Sequence, residues 1–481
     1  MQTNKDITEI IQNNMMDYSA SVLTDRAFPA IQDGFKPVTR RIMFTMQNKK
    51  IDKLTKSMNV TGLVSAVHPH GTTYETIVGM VQKDNWQVPL IDGHGNFSLY
   101  SSRDLQAGAD RYTEIKISDF GKEMTSLIPN NVVKNIPNYD GTIQMPIVIP
   151  VKFPLILIQS QSGLGVGYSS STLSYNMREI VDSIEQFIRI GKSKPLYPDF
   201  PTKGFILTNK EELENGMVGK SSFTLEGKIE SVDKQTIRIT EFPYGVKYEN
   251  VIDKIISLVK DGQLPGVVDV KDLNDFNGIN VEIYTRKNAN HEDLIKKILK
   301  KTPLSSKINS NPNMIDINNG TPKIYGTNEV IKIWLNWRKD VVIEQTNQEI
   351  NKISNKLYYL NGLEKILIDV DKAVDIIRHS KNTELLSKLQ NVFDLEEKQA
   401  RYIVNMKLYN INENYIQEKL KEIENLKNKV AELKRFVEND QQILESILRE
   451  LKDIAEKYGV DRQTIIKEVL LWVSDLKNYW I

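Results

Sequence analysis

An arginine followed at once by a tyrosine, Arg111-Tyr112, stands in the stretch AGADRYTEIKIS from Ala107 to Ser118. A phenol is a poor nucleophile at neutral pH because its pKa is about 10. A neighbouring guanidinium helps twice: it favours the phenolate, and its fork stabilises charge building on a phosphate under attack. The chemistry such a pair could do is therefore attack on a phosphodiester. The chain has 19 tyrosines, most of which must be ordinary half-buried side chains, so the pair alone decides nothing. Its setting adds a second signal. The small residues Ala107, Gly108 and Ala109 precede it, and Tyr112 to Ile117 alternate in polarity. Alternation at period two predicts a short strand, with Tyr112 where loop meets strand.

Other residues with chemical potential lie nearby. Histidine occurs five times, and His68, His70 and His94 lie close together. A His-x-His pair can ligate zinc, but no cysteine or tight carboxylate cluster completes a ligand set. Two imidazoles flanking Pro69 and ending at Gly71 suit phosphate contacts better. Between Phe35 and Met58 the basic residues Lys36, Arg40, Arg41, Lys49, Lys50, Lys53 and Lys56 face a single acid, Asp52. That local excess fits either a phosphate footprint or a solvated helix face. Gly163, Gly165 and Gly167 follow an apolar run, yet no Lys-Ser/Thr follows them, so the spacing fits no nucleotide loop.

These residues need elements to hold them. Apolar positions predict a helix over 5–24 and another from Val38 to about Lys49, the latter with Pro37 at its start. A further helix is expected from Gly71 to Asp84. Residues 204–327 read as mixed α/β, with strands at Gly204–Thr208, Thr236–Glu241 and Ile279–Tyr284 and helices at Asn250–Val259 and His291–Lys300. From Asn328 onward apolar residues recur at steps near a heptad, first from Ile350 to Ile377 and again from Leu426 to Ile454. Two such runs predict paired long helices, with shorter helices over 380–408 between them.

At 481 residues, 40% hydrophobic and 26% charged, the chain can form several globular domains. It has no cysteine, so neither a disulfide framework nor a thiolate metal site can form. The net charge of +1 does not announce nucleic-acid binding. No segment approaches the ~18 consecutive apolar residues of a membrane helix. A cytoplasmic protein, with no membrane partner, is expected.

Six collinear motifs then make a specific resemblance: PAIQDGFKPVTRRIMFTM, HPHG, IDGHGNF, the Arg111-Tyr112 stretch, NYDGTIQMPIVIPVKFPLILIQSQSGLGVGY and ITEFPYGV. In order and spacing they resemble the breakage-reunion (A-type) subunit of type IIA DNA topoisomerases, over nearly the whole chain. The resemblance implies that Tyr112 and Arg111 are catalytic. It also implies that Arg26, Lys36, Arg40, Arg41, His68 and His70 contact DNA, and that Leu164 is an apolar wedge that bends the duplex. Left to itself, Leu164 reads equally as a core leucine in a tight turn. The chain departs from the bacterial pattern in three places. Only Thr72-Thr73 separate HPHG from Tyr74-Glu75, Thr39 replaces a usual His or Gln, and Asp110 replaces Met. The shortened turn lies where quinolone drugs contact bacterial relatives.

The implied fold is multidomain α+β. It comprises an arm helix (1–24), a winged-helix cleavage domain (25–142), a mixed α/β tower (143–327), an antiparallel coiled coil with a helical dimerisation knob (328–465), and a tail (466–481). The implied partners are double-stranded DNA, a second copy through the coiled-coil gate, and a B-type subunit with ATPase and Toprim domains. Magnesium and ATP are expected on that B-type partner. The size resembles the phage-type subunit without the DNA-wrapping domain, and the tail, read as a short helix, carries few lysines. Relaxation and decatenation without supercoiling are therefore expected. The alternative is a catalytically silent, dimeric DNA-bending protein of the same fold; a plain structural coiled-coil dimer is a third possibility.

Overall fold

Proline is at home in the first turn of a helix, where its missing N–H would have no partner. Pro37 takes that place in the helix Pro37–Asn48, after an extended Lys36. The computed structural model describes residues 15, 18–69, 71, 73–274, 278–367, 369–381, 383–407 and 413–468. Most of the expected arm helix, His70 and the end of the expected tail lie outside them. The described chain divides into two compact units, Lys339–Ser446 and the remainder.

The first unit carries every described candidate residue. Ile42, Met43 and Met46 of helix Pro37–Asn48 are fully buried. Two more helices, Ser57–Val67 and Thr73–Val81, pack with it through Val60, Val64, Ile77 and Met80. Beside them lies a three-stranded antiparallel sheet. Its central strand is Glu114–Ile117, flanked by Thr55–Lys56 and Ile91–His94. Ile115 and Ile117 point into the core while Glu114 and Lys116 face out, the alternation read in the sequence. Helix Ser57–Val67 was not singled out there. Gly62 and its valines make a poor intrinsic helix, though Val60, Val64 and Val67 carry the right spacing.

A hairpin follows, with Gln161–Gly165 antiparallel to Tyr168–Thr172. Further along, a four-stranded sheet takes the order Lys228–Ser231, Thr236–Glu241, Val281–Thr285, Val267–Asp272. Helices Tyr248–Lys260 and His291–Lys301 bury Val251, Ile255, Leu294 and Ile298 against Ile237, Ile239, Val281 and Ile283. Another sheet runs Ser305–Ser310, Ser221–Glu226, Phe205–Thr208 and Ile465–Glu468. The last of these strands is parallel to its neighbour. The expected boundary between gate and tail, at 465/466, therefore falls inside a strand of the first unit.

In the second unit Leu357, Leu360 and Leu363 of helix Thr327–Leu367 pack against Ile423 of helix Glu413–Val437. The ion pairs Glu349–Lys429 and Lys356–Glu422 run in opposite chain directions, as antiparallel neighbours require. Helices Val370–His379, Leu385–Phe393 and Glu397–Val404 form a small core of Ala373, Leu389, Ala400 and Ile403. Both heptad-like runs are interrupted. Asp369 caps a new helix by accepting from the Lys372 amide, and Asn439 accepts from the Gln442 amide before helix Asp440–Tyr458. Polar side chains of this type compete for backbone donors and so restart a helix within an unbroken apolar pattern. Among the described residues no helix is long and apolar enough to cross a membrane.

Candidate active site

The strand that buries Ile115 and Ile117 must turn its next inward position, Thr113, into the core as well. Thr113 is fully buried, whereas Tyr112 is 68% exposed. The arginine folds back over it, placing the Arg111 guanidinium carbon 4.7 Å from the centre of the Tyr112 ring. A cation on that face is attracted to the ring's electrons.

The turn is fastened on both sides. The Tyr112 amide donates to the Ala109 carbonyl at 2.8 Å, and the Gly108 amide donates to the Asn96 carbonyl at 2.8 Å. The first amides of helix Ser57–Val67 need partners, as at any helix start. Here the turn supplies them: Ser57 N–H donates to the Thr113 carbonyl at 3.0 Å and Met58 N–H to the Asp110 carbonyl at 3.2 Å. Asp110, unusual against the bacterial pattern, thus serves through its backbone. Side chains complete the fastening. The Tyr74 hydroxyl donates to the Gly108 carbonyl at 2.5 Å and lies 2.9 Å from Thr113 Oγ1. Thr113 Oγ1 is in turn hydrogen-bonded to Ser57 Oγ at 2.8 Å. Neither Tyr74, Ser57 nor Thr113 was singled out from the sequence, because partners 34 to 56 residues apart leave no local signal.

The basic residues divide between two clefts. Arg26 and Lys36 line one of about 780 Å³, together with Thr39, Trp86, Gln161, Ser162 and Lys307. Arg40, Arg41 and His68 line another of about 490 Å³, with Asp25 and Tyr139. Neither lining includes Arg111 or Tyr112. The Lys36 ammonium donates to the Ser162 carbonyl, and burial pulls its pKa below the usual lysine value. Arg41 is likewise lowered, by burial first and then by neighbouring Arg40. His68 ends helix Ser57–Val67 and sets its ring edge-on to Tyr139 at 6.1 Å. Arg40 differs from the others. It forks onto the fully buried Asp33 at 2.6 and 2.9 Å and also donates to the Phe35 carbonyl at 3.0 Å. Lys56 is paired with Glu114, so the basic stretch is not one footprint. His94 stands opposite Glu114 in the sheet. Among the described residues no three His, Asp or Glu side chains stand together to hold a metal.

The glycine run has a steric cause. Gly163 and Gly165 face the helical turn Leu23–Ala27, where a Cβ on Gly163 would lie 2.1 Å from the Ala27 carbonyl oxygen and one on Gly165 2.4 Å from Leu23. Strand alternation then sends Leu164 outward, 84% exposed, beside Val166 and Tyr168 at the tip. In this structure Leu164 is not packed as a core leucine.

Comparison with known proteins identifies the family. Residues 26–452 match the family model for the A subunit of DNA gyrase/topoisomerase IV. The DNA gyrase A subunit of Metamycoplasma arthritidis is 32% identical over 96% of this chain and 53% of its own length. For the Leptospira biflexa DNA gyrase A subunit the figures are 31%, 96% and 56%. For the DNA topoisomerase 4 A subunit of Staphylococcus epidermidis they are 32%, 96% and 59%. The chain thus spans about half the length of the curated relatives it matches. An exposed tyrosine under an arginine, fixed at the head of a buried strand, therefore sits within a chain that belongs to the DNA gyrase/topoisomerase IV A-subunit family.

Proposed function

We propose that this chain is the DNA-cleaving subunit of a type IIA DNA topoisomerase. The observation that carries the reading is the Arg111-Tyr112 turn: an accessible phenol beneath a guanidinium, on a turn fastened by hydrogen bonds. Tyr112 attacks a backbone phosphorus and its hydroxyl proton passes to solvent, while the P–O bond to the 3′ oxygen breaks and that oxygen takes up a proton from solvent. The product is a 5′-phosphotyrosyl link and a free 3′ hydroxyl. Resealing runs the same exchange backwards, so the bond energy is conserved and no nucleotide is needed for it. Arg111 stabilises charge on the phosphorane-like transition state. Each protomer of a dimer cuts one strand, and a second duplex passes through, which relaxes or unlinks DNA.

Arg26, Lys36, Arg41, His68 and His70 hold the phosphate backbone, and Leu164 enters a base step to bend the duplex. Arg40 fixes the floor beneath them through Asp33. The helices and sheet of 25–142 serve as the winged-helix cleavage domain, and 143–327 as the tower. The paired helices of 328–465 form the coiled-coil gate that dimerises. Magnesium would stabilise the attacking and leaving oxygens. The described acidic residues do not cluster as a site for it; on the family resemblance the metal and ATP are assigned to a B-type partner with ATPase and Toprim domains.

The test is Tyr112→Phe, which keeps the ring and removes the attacking oxygen. With the B-type partner present, wild type should yield protein covalently trapped on DNA by SDS, and the variant none, with folding and DNA binding unchanged. Covalent complex from Tyr112→Phe would overturn the assignment.

A further inference from the structure

A nucleophile on a turn is only as accurate as the turn, and a misplacement of about 1 Å can cost 10²-fold in rate. The turn from Gly108 to Thr113 is pinned from one side by main-chain hydrogen bonds to Asn96, Ser57 and Met58. From the other side a single atom touches it at two points. That atom is the hydroxyl oxygen of Tyr74, in the first turn of helix Thr73–Val81. It meets the Gly108 carbonyl at 2.5 Å and Thr113 Oγ1 at 2.9 Å. These points lie four residues before and one residue after Tyr112. The Thr113 hydroxyl extends the brace to Ser57 Oγ at 2.8 Å, so the helix start and the strand head are tied into one chain of hydroxyls. Thr113 and Ser57 are fully buried, and Tyr74 is half-buried. In such surroundings polar groups strengthen one another, and losing one partner leaves the rest unsatisfied.

We infer that Tyr74 is a positioning residue for Tyr112, its hydroxyl bracing both ends of the nucleophile turn. This rests on the reading of Tyr112 as the nucleophile. The brace also links that turn to helix Thr73–Val81, whose Glu75, Thr76 and Gly79 line the cleft shared with Arg26 and Lys36. The stretch between Gly71 and Tyr74, where this chain is two residues shorter than the bacterial pattern, therefore leads directly into the brace. A phenylalanine at position 74 fills the same space but bonds neither point.

The experiment compares wild type, Tyr74→Phe and Thr113→Val, each as the full chain reconstituted with its B-type partner. Two readouts are taken. Hydrogen exchange reports on the amides of Ser57 and Met58 and the segment 108–114, without any chemistry. Single-turnover cleavage at saturating DNA reports the rate of covalent-complex formation, alongside DNA affinity. For Tyr74→Phe the expected result is faster exchange at those amides, unchanged DNA affinity, a modest fall in melting temperature with the fold retained, and cleavage slowed by about 10- to 100-fold. Thr113→Val should behave alike, and the double variant should be little worse than either single one, because all three hydroxyls act in one network. Unchanged exchange in Tyr74→Phe overturns the brace. Faster exchange with unchanged cleavage overturns the positioning role. A wild-type chain that never forms covalent complex overturns the nucleophile assignment and the positioning role with it, and exchange alone then still reports whether Tyr74 holds the turn.

Discussion

Two places on the first unit hold a large side chain out into solvent, and they do so by opposite means. At the Tyr112 turn the backbone is fastened by hydrogen bonds: to the Tyr74 hydroxyl, and to the first amides of helix Ser57–Val67. At the Leu164 hairpin the fastening is close contact: Gly163 lies so near the Ala27 carbonyl that a Cβ there would meet backbone, and Gly165 packs against the Leu23 side chain. A hydrogen-bonded turn is damaged by taking an atom away, a contact-packed hairpin by adding one. The difference matches what each is proposed to do. Attack on phosphorus needs direction, which hydrogen bonds supply. Insertion between bases needs only a firm apolar projection.

After loss of the Tyr112 hydroxyl itself, the largest effect should come from removing charge at the turn. Arg111→Ala leaves Tyr112 and its supports in place but deletes the guanidinium 4.7 Å from the ring. Loss of such an electrostatic donor is typically worth about 10²–10³ in rate, or about 2.7–4 kcal/mol of barrier. Cleavage should slow by that factor while DNA still binds, as measured by single-turnover cleavage and gel shift. Near-normal cleavage would remove Arg111 from the chemistry and reduce the pair to a ring contact.

Next comes the addition of an atom at the hairpin. The Cβ of Gly163→Ala would sit 2.1 Å from the Ala27 carbonyl oxygen, so backbone must move. Overpacking of this type costs roughly 1–3 kcal/mol. The melting temperature should fall, and DNA bending with it, since Leu164 and the adjoining Arg26 segment shift together. The same substitution at Gly167, where nothing lies within 4 Å but φ is +75°, tests strain without crowding. If Gly163→Ala melts like wild type, the hairpin is not held by contact.

How far the sequence foretold this contrast depends on the range of the interaction. The strand after Tyr112 was legible because its alternation is local, and the strand Thr236–Glu241 was read with its observed ends. The outward aim of Leu164 was also encoded locally, in the Gly-Leu-Gly-Val alternation, though residue types alone left a core leucine open. What sequence does not carry is pairing at a distance. Arg40 reads as one more basic residue until buried Asp33 is seen in its fork. Tyr74 reads as one residue of a motif until its hydroxyl is seen between Gly108 and Thr113. The heptad-like runs failed differently: apolar spacing continues through Asp369 and Asn439, while the backbone stops and starts again there.

The smallest effect on stability, and the sharpest test of the contrast, is Leu164→Ala. A buried leucine loses about 2–5 kcal/mol on truncation, because it leaves a cavity and forfeits its burial. Leu164 is 84% exposed, so there is little burial to lose and no cavity to leave. Surface substitutions of this type stay within about ±0.5 kcal/mol. The hairpin should keep its shape, because its glycines do the packing and the pairing of Leu164 with Ser169 uses only backbone. Function should respond instead. An alanine is too short to wedge neighbouring base pairs apart, so the bound duplex should be straighter, as read by the fluorescence transfer efficiency between dyes at its ends. Either of two results would undo the argument. A drop in melting temperature of the size expected for Gly163→Ala would mean that the side chain packs after all. Unchanged bending with unchanged stability would mean that the hairpin holds Leu164 out without using it, and the duplex would have to be bent by Val166 or Tyr168 at the same tip, each exposed beside it.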